Sequence, residues 1–400
     1  MSDAYLYEAI RTPRGRGKPD GSLHSIKPIS LVTGLMRELQ ARHQIDTALI
    51  DDVLLGCVTP VGDQGANIAR IAALAAGWDC KVAGVQLNRF CASGLDAVNL
   101  AAQKVRSGWD DLVVAGGVES MSRVPPGADG GAWSLDPETS LLTGYVPPCI
   151  SADLIATLDD CQREQLDAYA LRSQQRAAAA RAAGRLRAVV PVRDQNGVPV
   201  LAEDECLKPA TSLEALASLK PSFDAYGESG FDSVALRQHP RLERLRHPHT
   251  AGNAGVNADG AALALVGSKA AGSRLGLEPR ARIVAAAVTG ADPLLMLAGA
   301  ASAARKALKK AGLPINAISL FEVHEAFAAV VLRFVRELDI AEDKVNVNGG
   351  AIALGDAPGA TGCMLVSTLL DELEARRLRY GLVAMGVGGG IGIATIIERL

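Results

Sequence analysis

The chain has 400 residues, of which 48% are hydrophobic, 21% charged and 4% aromatic, and its formal net charge is −3 at pH 7. That length exceeds one ordinary core, so two or three domains are expected. The near-neutral charge, spread without blocks of one sign, excludes a nucleic-acid surface. No basic leader followed by an apolar run opens the sequence and no apolar segment reads as a membrane span, which predicts a cytoplasmic protein with no membrane partner. Seven cysteines, none in a C-x-x-C pair, read as reduced thiols with no disulfide framework and no metal site.

Residues 1–123 alternate short apolar runs with helical patterns. The spacing predicts strands over 51–58, 82–87 and 111–116 and helices over 65–76 and 91–107, which make a mostly parallel sheet covered on both faces. Over 124–251 the texture changes. Prolines, glycines and charged helices such as 162–183 replace the apolar strands, and the region reads as an inserted loop domain over the first unit. The Ala/Arg-rich helix is read there as a solvated or subunit-facing surface. Residues 252–400 return to alternation, with strands over 281–288, 318–323, 344–347 and 381–386 and helices over 297–310, 325–338 and 362–377.

One cysteine stands apart. Cys91 lies where the apolar run 82–87 enters the helical pattern, so its sulfur is expected near unsatisfied N–H groups at the positive end of a helix, which favour thiolate over thiol. That is the position of a nucleophile, although a small buried Cys would also fit the pattern. The first and third regions also repeat one another. Cys91-Ala-Ser-Gly94, a helix and a strand ending at Gly116 parallel Gly359-Ala-Thr-Gly362, a helix and a strand ending at Gly386. Two duplicated layered α/β halves would bring helix N-termini together on one central site suited to an acyl oxyanion.

Six segments, 85–98, 116–122, 250–253, 321–327, 348–355 and 388–392, resemble the motifs of the thiolase family in the same order, over essentially the whole chain. The resemblance implies the thiolase fold, a CoA thioester as substrate with no permanently bound cofactor, and a homodimer or homotetramer. His324-Glu325-Ala326-Phe327 resembles the subgroup in which His opens that motif, one that commonly acts in fatty-acid or steroid side-chain degradation. By the same resemblance Cys91 is the nucleophile, His324 orients an oxyanion-hole water, and the Gly388 backbone with the Cys91 N–H forms a second oxyanion hole. Asn253 and Gly255 fall where CoA is contacted. Glu119 and Glu325 are read as structural neighbours of these motifs.

Three positions depart from the family pattern. Asp356 stands where the family has the His that activates the nucleophile. Gly386 stands where it has a second Cys acting as acid and base. Ala254 to Asn257 lacks the expected Ser, which loosens contacts to CoA. A carboxylate beside a thiol disfavours thiolate, and loss of one acid/base group costs about 10²- to 10⁴-fold. Asp356 is expected either to be protonated as a hydrogen-bond donor or to cap the following helix. Three functions remain: a thiolase-type acyltransferase acting through Cys91, an enzyme of altered chemistry that passes the acyl group to water or another acceptor, and a non-catalytic CoA-ester-binding subunit.

Overall fold

The computed structural model describes residues 2–400. The first half contains β1 (Tyr5–Arg11), α1 (Pro28–His43), β2 (Asp52–Gly56), α2 (Ile68–Ala76), β3 (Val85–Leu87), α3 (Ser93–Ser107) and β4 (Leu112–Ser120). The inserted region carries α4 (Pro148–Leu158) and α5 (Arg163–Ala182), and only very short strands, at Val192–Arg193 and Pro199–Leu201. Then come β5 (Ala258–Gly267), β6 (Ala281–Gly290), α6 (Gly299–Ala311), β7 (Leu320–Val323), α7 (Ala328–Leu338), α8 (Pro358–Arg376), β8 (Tyr380–Val387) and β9 (Ile391–Arg399).

The strands run in the order β7-β8-β9-β6-β1-β5-β4-β2-β3, with the short strand Gly15–Arg16 on β5. β1 meets β6 only at Tyr5 and Leu6 but pairs with β5 along most of its length, so the sheet divides into two halves at that seam. Each half repeats one pattern. β1–β5 and β5–β4 are antiparallel and β4–β2 is parallel; β6–β9 and β9–β8 are antiparallel and β8–β7 is parallel. The duplication legible in the Gly-centred motifs is therefore a duplication of strand order and direction.

Three expectations change here. The sheet is mixed rather than mostly parallel, because hydrophobic patterning does not report strand direction. The strand expected over 344–347 shrinks to one bridge between Phe321 and Val345, in the place that β3 holds in the first half. Residues 258–267, assigned by sequence to the third region (252–400), hydrogen-bond to β4 and β1 of the first. Every residue of β5 is buried, so no polar face marks which half it joins.

Two central helices set the layering. α3 and α8 lie between the halves with Leu95, Val98, Val105, Cys363, Val366 and Leu370 in one core cluster, while α1 and α2 cover the first half outside and α6 and α7 the second. Fifteen of the nineteen residues of α8 are buried, the signature of a helix with no solvent face. The N-terminal turns of α3 and α8 touch through glycines. A Cβ on Gly94 would lie 2.7 Å from the Gly359 carbonyl, and one on Gly362 would overlap the Leu95 nitrogen.

The stretch Pro137–Leu158 is long and apolar enough to cross a membrane, contrary to the sequence reading. It is broken by Gly144, at φ 62°, and by Pro147 and Pro148, and α4 within it is largely buried in the core. Those breakers hid it from inspection for one continuous span.

Candidate active site

The Cys91 turn is held from several sides. Phe90 takes a left-handed conformation (φ 49°), unusual for a side-chain-bearing residue, immediately before Cys91. Its N–H donates to Asn88 Oδ1 (2.8 Å), and Asn88 Nδ2 in turn donates to the Val58 carbonyl (2.9 Å). Ser93 Oγ donates to the Phe90 carbonyl (2.5 Å) and accepts the Arg89 N–H (2.8 Å), while Arg89 Nε donates to Asp96 (2.7 Å). Cys91 is half-buried beyond the end of β3. It lies one residue before the Ala92 cap of α3. Burial pushes its thiol well up, and the Asp356 and Glu119 carboxyls add to this. The expected helix-terminus preference for thiolate is therefore overridden: desolvation and like charge outweigh the helix terminus.

His324 continues from β7 and is almost fully buried. Its Nε2 meets Asp356 Oδ2 at 2.9 Å, and Nδ1 has no protein partner. Asp356 Oδ1 accepts the Thr361 hydroxyl (2.7 Å). Burial works against ionisation of Asp356, but His324, Thr361 and Arg14 together hold its carboxyl below the ordinary carboxylate range. Both expectations for Asp356 are corrected. It is ionised rather than protonated, and it does not cap α8, whose first residue follows Ala357 with no side-chain cap. An ionised carboxylate only accepts, so Nε2 of His324 carries the proton of this contact.

Gly388 lies next to the Cys91 turn. A Cβ there would lie 3.0 Å from the Phe90 ring. Asn253 does not belong to a ligand surface. It is fully buried, its Nδ2 donates to Asp167 (2.8 Å), and its Oδ1 accepts the Thr250 N–H (2.8 Å), so this amide locks its own loop to α5. Gly255 is half-buried and donates its N–H to the Ala326 carbonyl (2.8 Å), tying its loop to the His324 segment. A Cβ at 255 would lie 2.9 Å from the Glu325 carbonyl, and one at 386 would overlap the Leu297 carbonyl oxygen. At both positions backbone closes the space that a side chain would need.

The two motif glutamates are occupied acceptors. Glu119 takes N–H groups from Val58 (2.8 Å), Thr59 (3.2 Å) and Gly359 (3.0 Å) and the Gln64 amide (2.8 Å), joining the two halves. Glu325 takes Tyr169, Ser173, Asn346 and the Ile352 N–H, joining α5 to the second half. Arg14 escaped the sequence reading, which had no motif to mark it. It is buried, its Nε and Nη1 lack hydrogen-bond partners although Nη1 lies 3.7 Å from Asp204 Oδ1, and burial together with nearby Arg11 lowers it to about 10 against the pull of Asp204 and Asp356. A surface groove of about 1070 Å³ between α1 and the 192–201 hairpin contains none of the expected site residues. Among the described residues no group of three or more His, Cys, Asp or Glu is placed to hold a metal ion.

A duplicated α/β fold with two central helices meeting beside a cysteine turn, a His–Asp pair and a glycine turn defines the architectural class of the protein. The chain belongs to the thiolase family: residues 4–229 match the family described as Thiolase, N-terminal domain, and residues 277–399 match Thiolase, C-terminal domain. It is 41% identical to the 3-oxoadipyl-CoA/3-oxo-5,6-dehydrosuberyl-CoA thiolase of Escherichia coli (strain K12) and 37% identical to a 3-ketoacyl-CoA thiolase of that strain, in each case over the whole of both chains. The crystal structure of the Bacillus anthracis acetyl-CoA acetyltransferase superposes with a TM-score of 0.86 at 33% identity, covering 100% of this chain and 99% of that one.

Proposed function

We propose that the protein is a thiolase-type acyl-CoA acyltransferase that forms an acyl-enzyme on Cys91, by 3-ketoacyl-CoA thiolysis or acetyl-CoA condensation. The observation that carries this is the strained Phe90–Cys91 turn beside Gly388 and the His324–Asp356 pair. With acetyl-CoA, Cys91 Sγ attacks the thioester carbonyl carbon; with a 3-ketoacyl-CoA it attacks the 3-keto carbon. The thiol proton passes to the Asp356–His324 pair as the new S–C bond forms, and then to the leaving group: to the CoA sulfur as the old S–C bond breaks, or to C2 of the departing acetyl-CoA as the C2–C3 bond breaks. Backbone N–H groups of Cys91 and the Gly388 turn receive the oxyanion.

A second reading is favoured by one feature, the closed space at Gly386. With no side-chain acid or base there, deacylation goes to water or to an acceptor that carries its own proton donor. Intact-mass spectrometry after mixing with acetyl-CoA, with Cys91→Ala as control, tests both. An adduct removed by CoA supports transfer, and an adduct lost only to water supports the altered chemistry. Absence of an adduct despite CoA-ester binding leaves a non-catalytic CoA-ester-binding subunit.

Assembly as a homodimer or homotetramer is supported by the open edge strand β3. Val85 on that strand and Ile71 and Leu74 on the adjacent α2 are each more than 40% exposed, which suits a partner copy. Seven free cysteines support a reducing, cytoplasmic setting. The His324-Glu325-Ala326-Phe327 motif supports a degradative role on fatty-acid or steroid side chains.

A further inference from the structure

Four aromatic rings form a row that begins at the residue before the nucleophile. Phe90 meets Trp133 at 5.2 Å between centroids, Trp133 meets Tyr145 at 4.9 Å, and Tyr145 meets Phe231 at 6.0 Å. Only 4% of this chain is aromatic, so the row gathers a scarce resource in one place. All four rings are half-buried, each keeping part of its surface open. The pair Phe321–Phe334 shows what plain core packing looks like in this protein, with both rings almost fully covered.

The row also has direction. Its first ring lies against Gly388, at the candidate oxyanion site, and its other members come from the inserted loop domain. Neither of the two arginine–ring contacts among the described residues involves these rings. Leu135, Leu141 and Leu142 neighbour Trp133 and Tyr145 in sequence and are 62–79% exposed, extending the apolar character of this segment. A row of apolar rings favours an uncharged apolar group, and the rings themselves offer a carboxylate no charged partner.

We propose that the row Phe90–Trp133–Tyr145–Phe231 is the acyl-binding wall and selects bulky apolar acyl groups, ring-bearing or long-chain, over acetyl and carboxylate-ended ones. The inference rests on acylation at Cys91, and it names the substrate class of that same site. A purely structural row, bracing residues 131–145 on the nucleophile turn, would instead affect every thioester alike.

The experiment compares acylation rates at Cys91, read by intact mass, with acetyl-CoA, succinyl-CoA and 3-phenylpropanoyl-CoA, for the wild type, Trp133→Ala and Trp133→Phe. The wild type is expected to favour 3-phenylpropanoyl-CoA over succinyl-CoA at least tenfold. Trp133→Ala should lower the 3-phenylpropanoyl-to-acetyl ratio at least tenfold, and Trp133→Phe should keep most of it. Equal rates across the thioesters, or a uniform slowing by Trp133→Ala, overturn the acyl wall while acylation at Cys91 stands. No adduct with any thioester overturns both.

Discussion

The two turns that open the central helices are counterparts with opposite chemistry. At 88–93 the backbone is strained at Phe90 and presents a thiol; at 355–361 it turns at Gly355 (φ 103°) and presents an anion. α3 begins one residue before Gly94, whereas α8 begins four residues before Gly362, so the second helix starts about one turn earlier relative to its glycine. The first turn holds its shape through bonds among residues 88–96, with Asn88 tying it to Val58. In the second, Asp356 is held by Thr361 from within the turn and by His324 from beyond β7. Duplication thus supplied two equivalent scaffolds, and only the first carries a cysteine just before its helix. The largest effect that this comparison predicts belongs to that turn. Cys91→Ala should abolish the acyl adduct and lower any transfer by about 10³-fold or more while leaving the fold intact. A persisting adduct would move the nucleophile elsewhere, and the six remaining cysteines could then be located by peptide mapping.

Adding a side chain at Gly386 tests how closely backbone fills the space there. A side chain at 386 runs into the Leu297 carbonyl, which belongs to the turn leading into α6. Overpacking against rigid backbone costs about 1–3 kcal/mol. Gly386→Cys and Gly386→Ala should therefore lose stability to a similar degree in urea titrations, and Gly386→Cys should gain no thiolysis. A Cys variant as stable as the wild type and faster in thiolysis would show that the turn yields, and that the space is available after all.

Legibility in the sequence followed the same division. The Cys91 turn was readable because an apolar run, one Cys and an Ala/Leu-rich helix stand adjacent in the chain, and local order is what sequence patterns report. The repeat of Gly94 and Gly362 was readable because helices in backbone contact accept only glycine there. The place of β5 was not, since its partners β4 and β1 lie more than a hundred residues away and its two buried faces leave no alternation. Asp356 and Gly386 were visible as departures, but their consequences were not. Whether Asp356 is ionised depends on His324, Thr361 and Arg14, three residues that only the fold assembles. Asn253 looked like a ligand contact by motif and proved to be a buried brace because Asp167 comes to it from α5.

The smallest of the three effects is the most direct test of the two turns' coupling. Asp356 is ionised at neutral pH, and its charge faces the Cys91 thiol, whose burial already opposes thiolate. Asp356→Asn keeps an acceptor for His324 and removes the charge. The thiol should then ionise at a lower pH, still above the ordinary cysteine range because desolvation remains. A shift of about one pH unit corresponds to roughly tenfold more thiolate, and to tenfold faster alkylation by iodoacetamide, at a fixed pH on the rising limb. Stability should respond at the other end of the scale. A carboxyl held below its unfolded value contributes stability that is fully present above the unfolded pKa of about 3.9 and fades as pH falls through the native one. The stability gap between wild type and Asp356→Asn should therefore be flat from pH 5 to 8 and narrow only in acid. If alkylation and stability changed together near neutrality, the substitution would have disturbed the turn itself. If alkylation did not change at all, Asp356 would not be in electrostatic contact with Cys91, and the second turn would have no direct hand in the first turn's chemistry.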